Sequence, residues 1–150
     1  MKYGTFASGY LIQDGKALLV HHNKMDKWVP PGGHLEENEL PADAAVREFF
    51  EETGIEVEVI PAYPSAFAGD SNSTPIPLPF HMDIEVEGFD SPRIGHFFYV
   101  KPVNGIEAMK HQETELFGID WFGKDDLPSL QTFDQVRSVA AFAIDNYPKV

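Results

Sequence analysis

The stretch Gly32–Ile55, GGHLEENELPADAAVREFFEETGI, constrains this chain more than any other. It carries seven acidic residues around one arginine and closes on a glycine. Pro41 suits the first turn of a helix and Gly54 its left-handed end, so a helix is expected from Pro41 to Thr53. At about 100° per residue, Glu48, Glu51 and Glu52 fall within one arc on adjacent turns. Ala42, Val46, Phe49 and Phe50 take the opposite side, where they are expected to pack on a sheet. Ala44 and Ala45, one turn before the acids, would leave space above the backbone for something to dock. Arg47 sits beside Glu51, where its planar fork can hold a carboxylate. Acidic helix faces are common, and like charges at i,i+4 cost only about 0.2–0.5 kcal/mol, so the helix alone does not demand a cation.

The 150-residue chain is expected to be one domain, large enough to bury a core without disulfides or structural zinc. It has no cysteine, which removes thiolate nucleophiles and Cys-ligated metals. The first residues, MKYGTFASGYLIQDG, hold no apolar run of signal-peptide type, and no stretch could span a bilayer, so a soluble cytoplasmic protein is expected. Eleven Lys and Arg stand against 24 Asp and Glu, a formal net charge of −13. That balance argues against a nucleic-acid polymer or a membrane surface as partner, since both need a basic face. A small polyanion remains open where divalent cations mediate the contact.

TFASGYLI and KALLVHH read as strands joined across QDGK, with Asp14-Gly15 as a tight hairpin turn. NKMDKWVPPGGHLEENELP reads as loop, IEVEVI as a short strand, and FHMDIEVE with IGHFFYVK as a further antiparallel pair. A last helix is expected over TFDQVRSVAAFAIDNY, opened by a Thr132/Gln135 capping box and ended before Pro148. Residues 61–79 hold five prolines and form a long irregular connection, either substrate-facing or plain surface. Strands, helix, strands, helix give an α+β or α/β sandwich with a mixed, largely antiparallel sheet.

The spacing decides what the helix alone leaves open. From Gly33 the pattern is G-x5-E-x7-R-E-U-x-E-E-x-G-U with U apolar: Gly33, Glu39, Arg47, Glu48, Phe49, Glu51, Glu52, Gly54 and Ile55. With ordinary residue frequencies a chance match is on the order of one in ten million. The stretch resembles the signature of the Nudix hydrolases at every fixed position, and the order of elements is similar to that family's α/β/α sandwich. The resemblance implies cleavage of a nucleoside diphosphate linked to another moiety, with Mg²⁺ or Mn²⁺ and water. Hard cations prefer oxygen ligands, and clustered glutamates supply them without cysteine or histidine. By the motif, Glu51 and Glu52 resemble the core metal ligands and Glu48 a third ligand or the base. Arg47 would orient the glutamates, Glu39 would be auxiliary, and Gly33 would let backbone approach the metal. Gly54 would stop the helix. Many members add a downstream acid, here Glu115, six residues before Trp121, or else Glu113.

Other candidates carry an ordinary reading beside the functional one. His34 could meet a phosphate or be a loop histidine, and Lys24 and Lys27 could attract phosphates or be solvated. Trp28 or Phe80 could stack on a base or belong to the core. His21 and His22 should point to opposite faces of a strand. His81, Asp83 and Glu85 share a face that opens to a cleft or to water. Subfamily markers for ADP-ribose (proline) and dinucleoside polyphosphate (tyrosine) hydrolases are absent from Asp70–Ser73, and no NADH-hydrolase run of the Ser-Gln-Pro-Trp type occurs. The expected activity is a pyrophosphohydrolase acting on a (d)NTP or another small nucleoside diphosphate derivative. The alternatives are an ADP-ribose or NDP-sugar hydrolase, or a module that binds nucleotide without cleaving it. An isomerase on the same fold would need cysteine. Family members are often dimers, so a homodimer is also among the expectations.

Overall fold

Alternating apolar residues in three strands feed two separate cores, and that alternation builds the fold. A computed structural model describes residues 2–86, 90–106 and 116–149. The chain runs β1 (Gly4–Tyr10), β2 (Ile12–Gln13), β3 (Lys16–His22), β4 (Lys27–Val29) and β5 (Gly32–His34) before helix α1 (Pro41–Thr53). Strands β6 (Val57–Ile60), β7 (His81–Glu85), β8 (Arg93–Pro102) and β9 (Leu116–Gly123) follow, then a 3-10 turn (Lys124–Ser129) and α2 (Asp134–Asn146).

One sheet runs β5-β1-β8-β6, with β7 also on β8; the other runs β2-β3-β4, with β9 on the far edge of β3. The β1–β8 pair is parallel and the other pairings are antiparallel. Phe6 and Tyr10 of β1, Leu19 of β3, and Phe97 and Tyr99 of β8 face the α2 core, with Val136, Val139, Ala140 and Ala143. Their neighbours Ala7, Leu11, Leu18, Phe98 and Val100 face the α1 core, with Phe49, Ile55 and Val57. Period-two alternation thus gives one strand layer a helix on each side, an α/β/α sandwich with a mixed sheet. Among the described residues, no helix is long and apolar enough to cross a membrane.

The helix α1 has the expected bounds, with proline at its start and Gly54 at φ 79°, whose N–H donates to Phe50 O at 2.8 Å. Its roll differs from expectation. Ala44 and Ala45 are fully buried and offer no docking space, Glu52 is 5% exposed, and Phe50 is turned outward. The reason lies opposite: β5 meets this edge of α1 with Gly32 and Gly33, so the helix settles its acidic edge onto bare backbone. Asp14 and Gly15 both take positive φ and close a two-residue hairpin, as expected. The run TFASGYLI, however, is two strands: the chain changes sheets at the buried Leu11, so β2 and not β1 pairs with β3.

The expected capping box on α2 does not form. Phe133 takes the cap position, the Thr132 hydroxyl donates to Trp28 O, and Gln135 reaches across to β7. Acceptors supplied by the tertiary structure replace the local backbone N–H groups. The loop expected before α1 contains β4 and β5, and LFGIDWFG, whose glycines and aspartate interrupt any strand pattern, forms β9 along the whole of β3. Residues 61–79 hold no helix or strand, in keeping with their prolines.

Phe49 is fully buried at the centre of the α1 core. Phe49→Ala is expected to cost about 3–5 kcal/mol in urea unfolding. A cost below about 1 kcal/mol would show that α1 does not anchor this layer.

Candidate active site

The acidic edge of α1 forms one wall of a cavity of about 520 Å³ between the two sheets. Glu48, Glu51, Glu52, Gly33 and His34 line this wall. His22, Lys24 and Met25 line the cavity as well. Phe6, Phe97, Phe133 and Val136 also line it, together with Glu85 and Gln135.

A single guanidinium arranges the acids. Arg47 Nε and Nη2 donate to the two oxygens of Glu39 at 2.8 and 2.9 Å. Nη1 donates to Glu48 Oε1 at 2.9 Å and to Glu51 Oε1 at 3.2 Å, and Nη2 also reaches His34 O at 3.0 Å. The hydrogen bonds from Arg47, then one from the Glu36 N–H, hold Glu39 below the usual carboxylate range, against the opposing effect of burial. The same bonds, that to Glu39 first, make Arg47 still harder to deprotonate. Arg47 itself does not line the cavity; it lies behind the acids. Glu52, the most buried of them, accepts a hydrogen bond from the Gly32 N–H at 2.9 Å.

The two glycines of β5 do different work. A Cβ on Gly33 would lie 2.4 Å from the Glu48 carboxyl carbon, at the free end of a flexible side chain. A Cβ on Gly32 would meet Ser8 Oγ at 2.2 Å and the Ala7 carbonyl oxygen at 2.4 Å, inside the β1–β5 pairing.

Among the described residues, no three His, Asp or Glu side chains close to metal-ligand spacing. Arg47 engages oxygens of Glu48 and Glu51, and Gly32 engages one of Glu52. The donor chemistry nonetheless fits a hard divalent cation: carboxylate oxygens on adjacent turns, beside a backbone that carries no Cβ.

His34 and Lys24 line the cavity; burial first, and Arg93 next, lower the pKa of His34 and favour its neutral form. His22 also lines it, while His21 stacks on Trp28 at 4.9 Å, so the two rings do part. Three expected substrate contacts are placed elsewhere. Lys27 lies over the Phe133 ring, Trp28 packs between His21 and Phe122, and Phe80 stacks on Tyr99 at 4.2 Å. Aromatic neighbours brought in by β8 and β9 pack Phe80 and Trp28 against the α2 core. Glu113 and Glu115 lie outside the described residues. Ser8 and Arg93 line the cavity without having been singled out from the sequence, and no local pattern marks them; Gln135, read from the sequence as part of a helix cap, lines it too.

The family model for the NUDIX domain matches residues 5–142. A diphosphoinositol polyphosphate phosphohydrolase 3-beta of Bos taurus is 46% identical over 44 residues, 29% of this chain and 27% of the relative. A probable DHNTP pyrophosphohydrolase of Lactococcus lactis is 40% identical over 48 residues, 32% and 29%. An RNA pyrophosphohydrolase of Helicobacter pylori is 33% identical over 86 residues, 56% and 51%. The matches therefore span a quarter to a half of these relatives. A solved NUDIX-family hydrolase from Clostridium perfringens superposes with a TM-score of 0.83 at 24% identity, covering 97% of this chain and 98% of that one. A NUDIX hydrolase from Nitrosomonas europaea gives 0.72 at 19%, covering 97% and 91%. At these identities the structural likeness concerns the fold.

The glycine geometry separates stability from site. Gly33→Ala should fold normally by circular dichroism yet displace the Glu48 carboxylate and weaken Mn²⁺ binding in calorimetry. Gly32→Ala should lower the unfolding midpoint, because backbone cannot yield as a side chain does. Equal loss of stability in both would contradict this division.

Proposed function

The chain belongs to the Nudix hydrolase family, and from that premise we propose that it is a divalent-metal-dependent pyrophosphohydrolase acting on a small nucleotide. The observation that carries this reading is the convergence of Glu48, Glu51 and Glu52, with Gly33, on one wall of a cavity able to hold a nucleotide. Two relatives bear pyrophosphohydrolase in their names, in line with cleavage of a phosphoanhydride. The formal charge of −13 weighs against an RNA polymer as substrate. Among the described residues the cavity's lysine and arginine are Lys24 and Arg93, few cations for a heavily phosphorylated inositol.

In this reading Glu51 and Glu52 hold the cation, Mg²⁺ or Mn²⁺, and Glu48 is a third ligand or the base. A bound cation would neutralise diphosphate oxygens and make water a better nucleophile. The water oxygen would attack phosphorus, the bridging P–O bond would break with its oxygen leaving on the departing group, and the water's proton would go to a carboxylate, Glu48, Glu115 or Glu113. Arg47 keeps Glu48 and Glu51 in register and touches no substrate. Lys24 and neutral His34 face the phosphates from the cavity walls, the first by charge and the second by hydrogen bonding.

Glu52→Gln keeps an oxygen to accept the Gly32 N–H, so its fold should survive. Its kcat should fall about 10²–10³-fold or more on whichever substrate the wild type cleaves. The check is chromatography of products from (d)NTPs, 8-oxo-dGTP, ADP-ribose, NDP-sugars and dinucleoside polyphosphates with Mg²⁺ or Mn²⁺. Wild-type turnover in the variant would overturn the ligand assignment. Tight nucleotide binding with no cleavage by the wild type would favour a binding module.

A further inference from the structure

Strand β8 is paired on both sides, but not equally well protected. On one side β1 runs beside it; on the other, β6 and β7 lie end to end, with Ile60 opposite Tyr99 and His81 opposite Phe97. Among the described residues neither β6 nor β7 pairs with a further strand, so this edge presents unpaired backbone N–H and C=O groups. Helix α1 covers Val57 and Val59 of β6, which belong to its core. It does not cover β7. Met82 and Ile84 stand opposite His96 and Ile94, on the sheet face shared with Phe98, yet they lie outside the α1 core. Both are exposed, as is the following Val86.

Between the two strands, residues 61–79 form an arm at the same edge. The Ala62 N–H donates to Leu78 O at 3.2 Å and closes its base. At the tip, Asp70 Oδ1 accepts from the N–H groups of Asn72 and Ser73 at 2.8 and 2.9 Å. Asp70 is the one Asp, Glu, Lys or Arg in residues 61–82, in a chain that is 23% charged. Tyr63, Ile76 and Leu78 are exposed, and Phe67 is 81% exposed. Little charge, with aromatic and aliphatic side chains facing outward, is the composition of an interface core. None of these residues lines the cavity.

The chemistry of the edge suits a second copy of the chain. A formal charge of −13 makes two copies repel over most of their surface, and this uncharged stretch is where repulsion is least. The strand is also complementary to itself in one register. Two antiparallel β7 strands centred on Asp83 would set Asp83 against Asp83, and centred on Ile84 would set Asp83 against Glu85; like charges directly opposite destabilise. Centred on Met82, the pair sets His81 opposite Asp83 of the second copy and Phe80 opposite its Ile84. Pro79, with no N–H, ends the ladder, and the arm then lies beside Val86 of the second copy. Residues 61–86 match the extent, roughly 20–30 residues a side, on which a stable association rests.

We propose that two copies of this chain associate through β7, paired antiparallel about Met82, with the 61–79 arm of each covering the exposed Met82–Val86 face of the other. The pairing satisfies the open backbone edge and removes Met82, Ile84 and Phe67 from water together. It leaves both cavities outside the interface.

The test is sedimentation of the purified protein across the micromolar range, where the wild type should run at twice the chain's mass. Ile84→Lys and Phe67→Asp change exposed side chains, so both should melt as the wild type does while the dimer weakens about tenfold or more. The chain has no cysteine, so Met82→Cys supplies a single thiol. Across the two-fold axis its Cα should lie about 4.5–5.5 Å from its counterpart, within reach of a disulfide, and mild oxidation should link the copies. Ile84→Cys should stay unlinked, because its counterpart lies four residues, about 13 Å, along the strand. A monomeric wild type would overturn the proposal and leave the edge to a different partner. Undiminished dimer in Ile84→Lys and Phe67→Asp, a disulfide in Ile84→Cys, or none in Met82→Cys would overturn it as well.

Discussion

The arrangement of the site depends on one guanidinium. Glu39, just before α1, and Glu48 and Glu51 on it would repel one another if left alone, and Arg47 meets all three through the fixed fork of its donors. Arg47 also pairs with Glu36 at 3.1 Å, and its bond to the His34 carbonyl ties the helix to the end of β5. One side chain therefore fixes the orientation of the carboxylates and the distance between α1 and the glycine strand. A lysine could offer the charge at that position but not the two parallel bonds to Glu39. The network leaves a net surplus of negative charge facing the cavity. That surplus is the physical reason to expect a cation there.

The same economy explains the backbone around it. Ala44 and Ala45 carry no bulk toward the sheet, and Gly33 carries no Cβ toward the helix. Close approach on both sides brings Glu52 down to the Gly32 N–H, where the carboxylate is buried but hydrogen-bonded. The cavity between the sheets then receives contributions from both helices. Helix α1 supplies acids to its lining, and α2 supplies Gln135 and Val136.

Much of this was legible in the sequence where a residue type forces a local geometry. Proline at position 41 and glycine at 54 delimit α1, Asp14-Gly15 makes its hairpin, and the spacing from Gly33 to Ile55 identifies the family. The alternation of His81, Asp83 and Glu85 on one face was readable too, though not what that face would meet. Features decided by distant partners were not readable. The roll of α1, which buries Ala44 and exposes Phe50, depends on glycines from another strand. Thr132 and Gln135 have the spacing of a helix cap, yet their partners lie on β4 and β7. Trp28 and Phe80 could have served substrate or core, and only the packing of neighbouring rings assigned them to the core.

The most direct measurement of the central claim is Mn²⁺ binding to the purified protein without nucleotide, followed by electron paramagnetic resonance of the free ion. If the carboxylates gathered by Arg47 form a cation site, the wild type takes up Mn²⁺ and Glu51→Gln, which retains the fold, binds it about tenfold or more weakly. Superimposable isotherms for the two proteins would contradict the account.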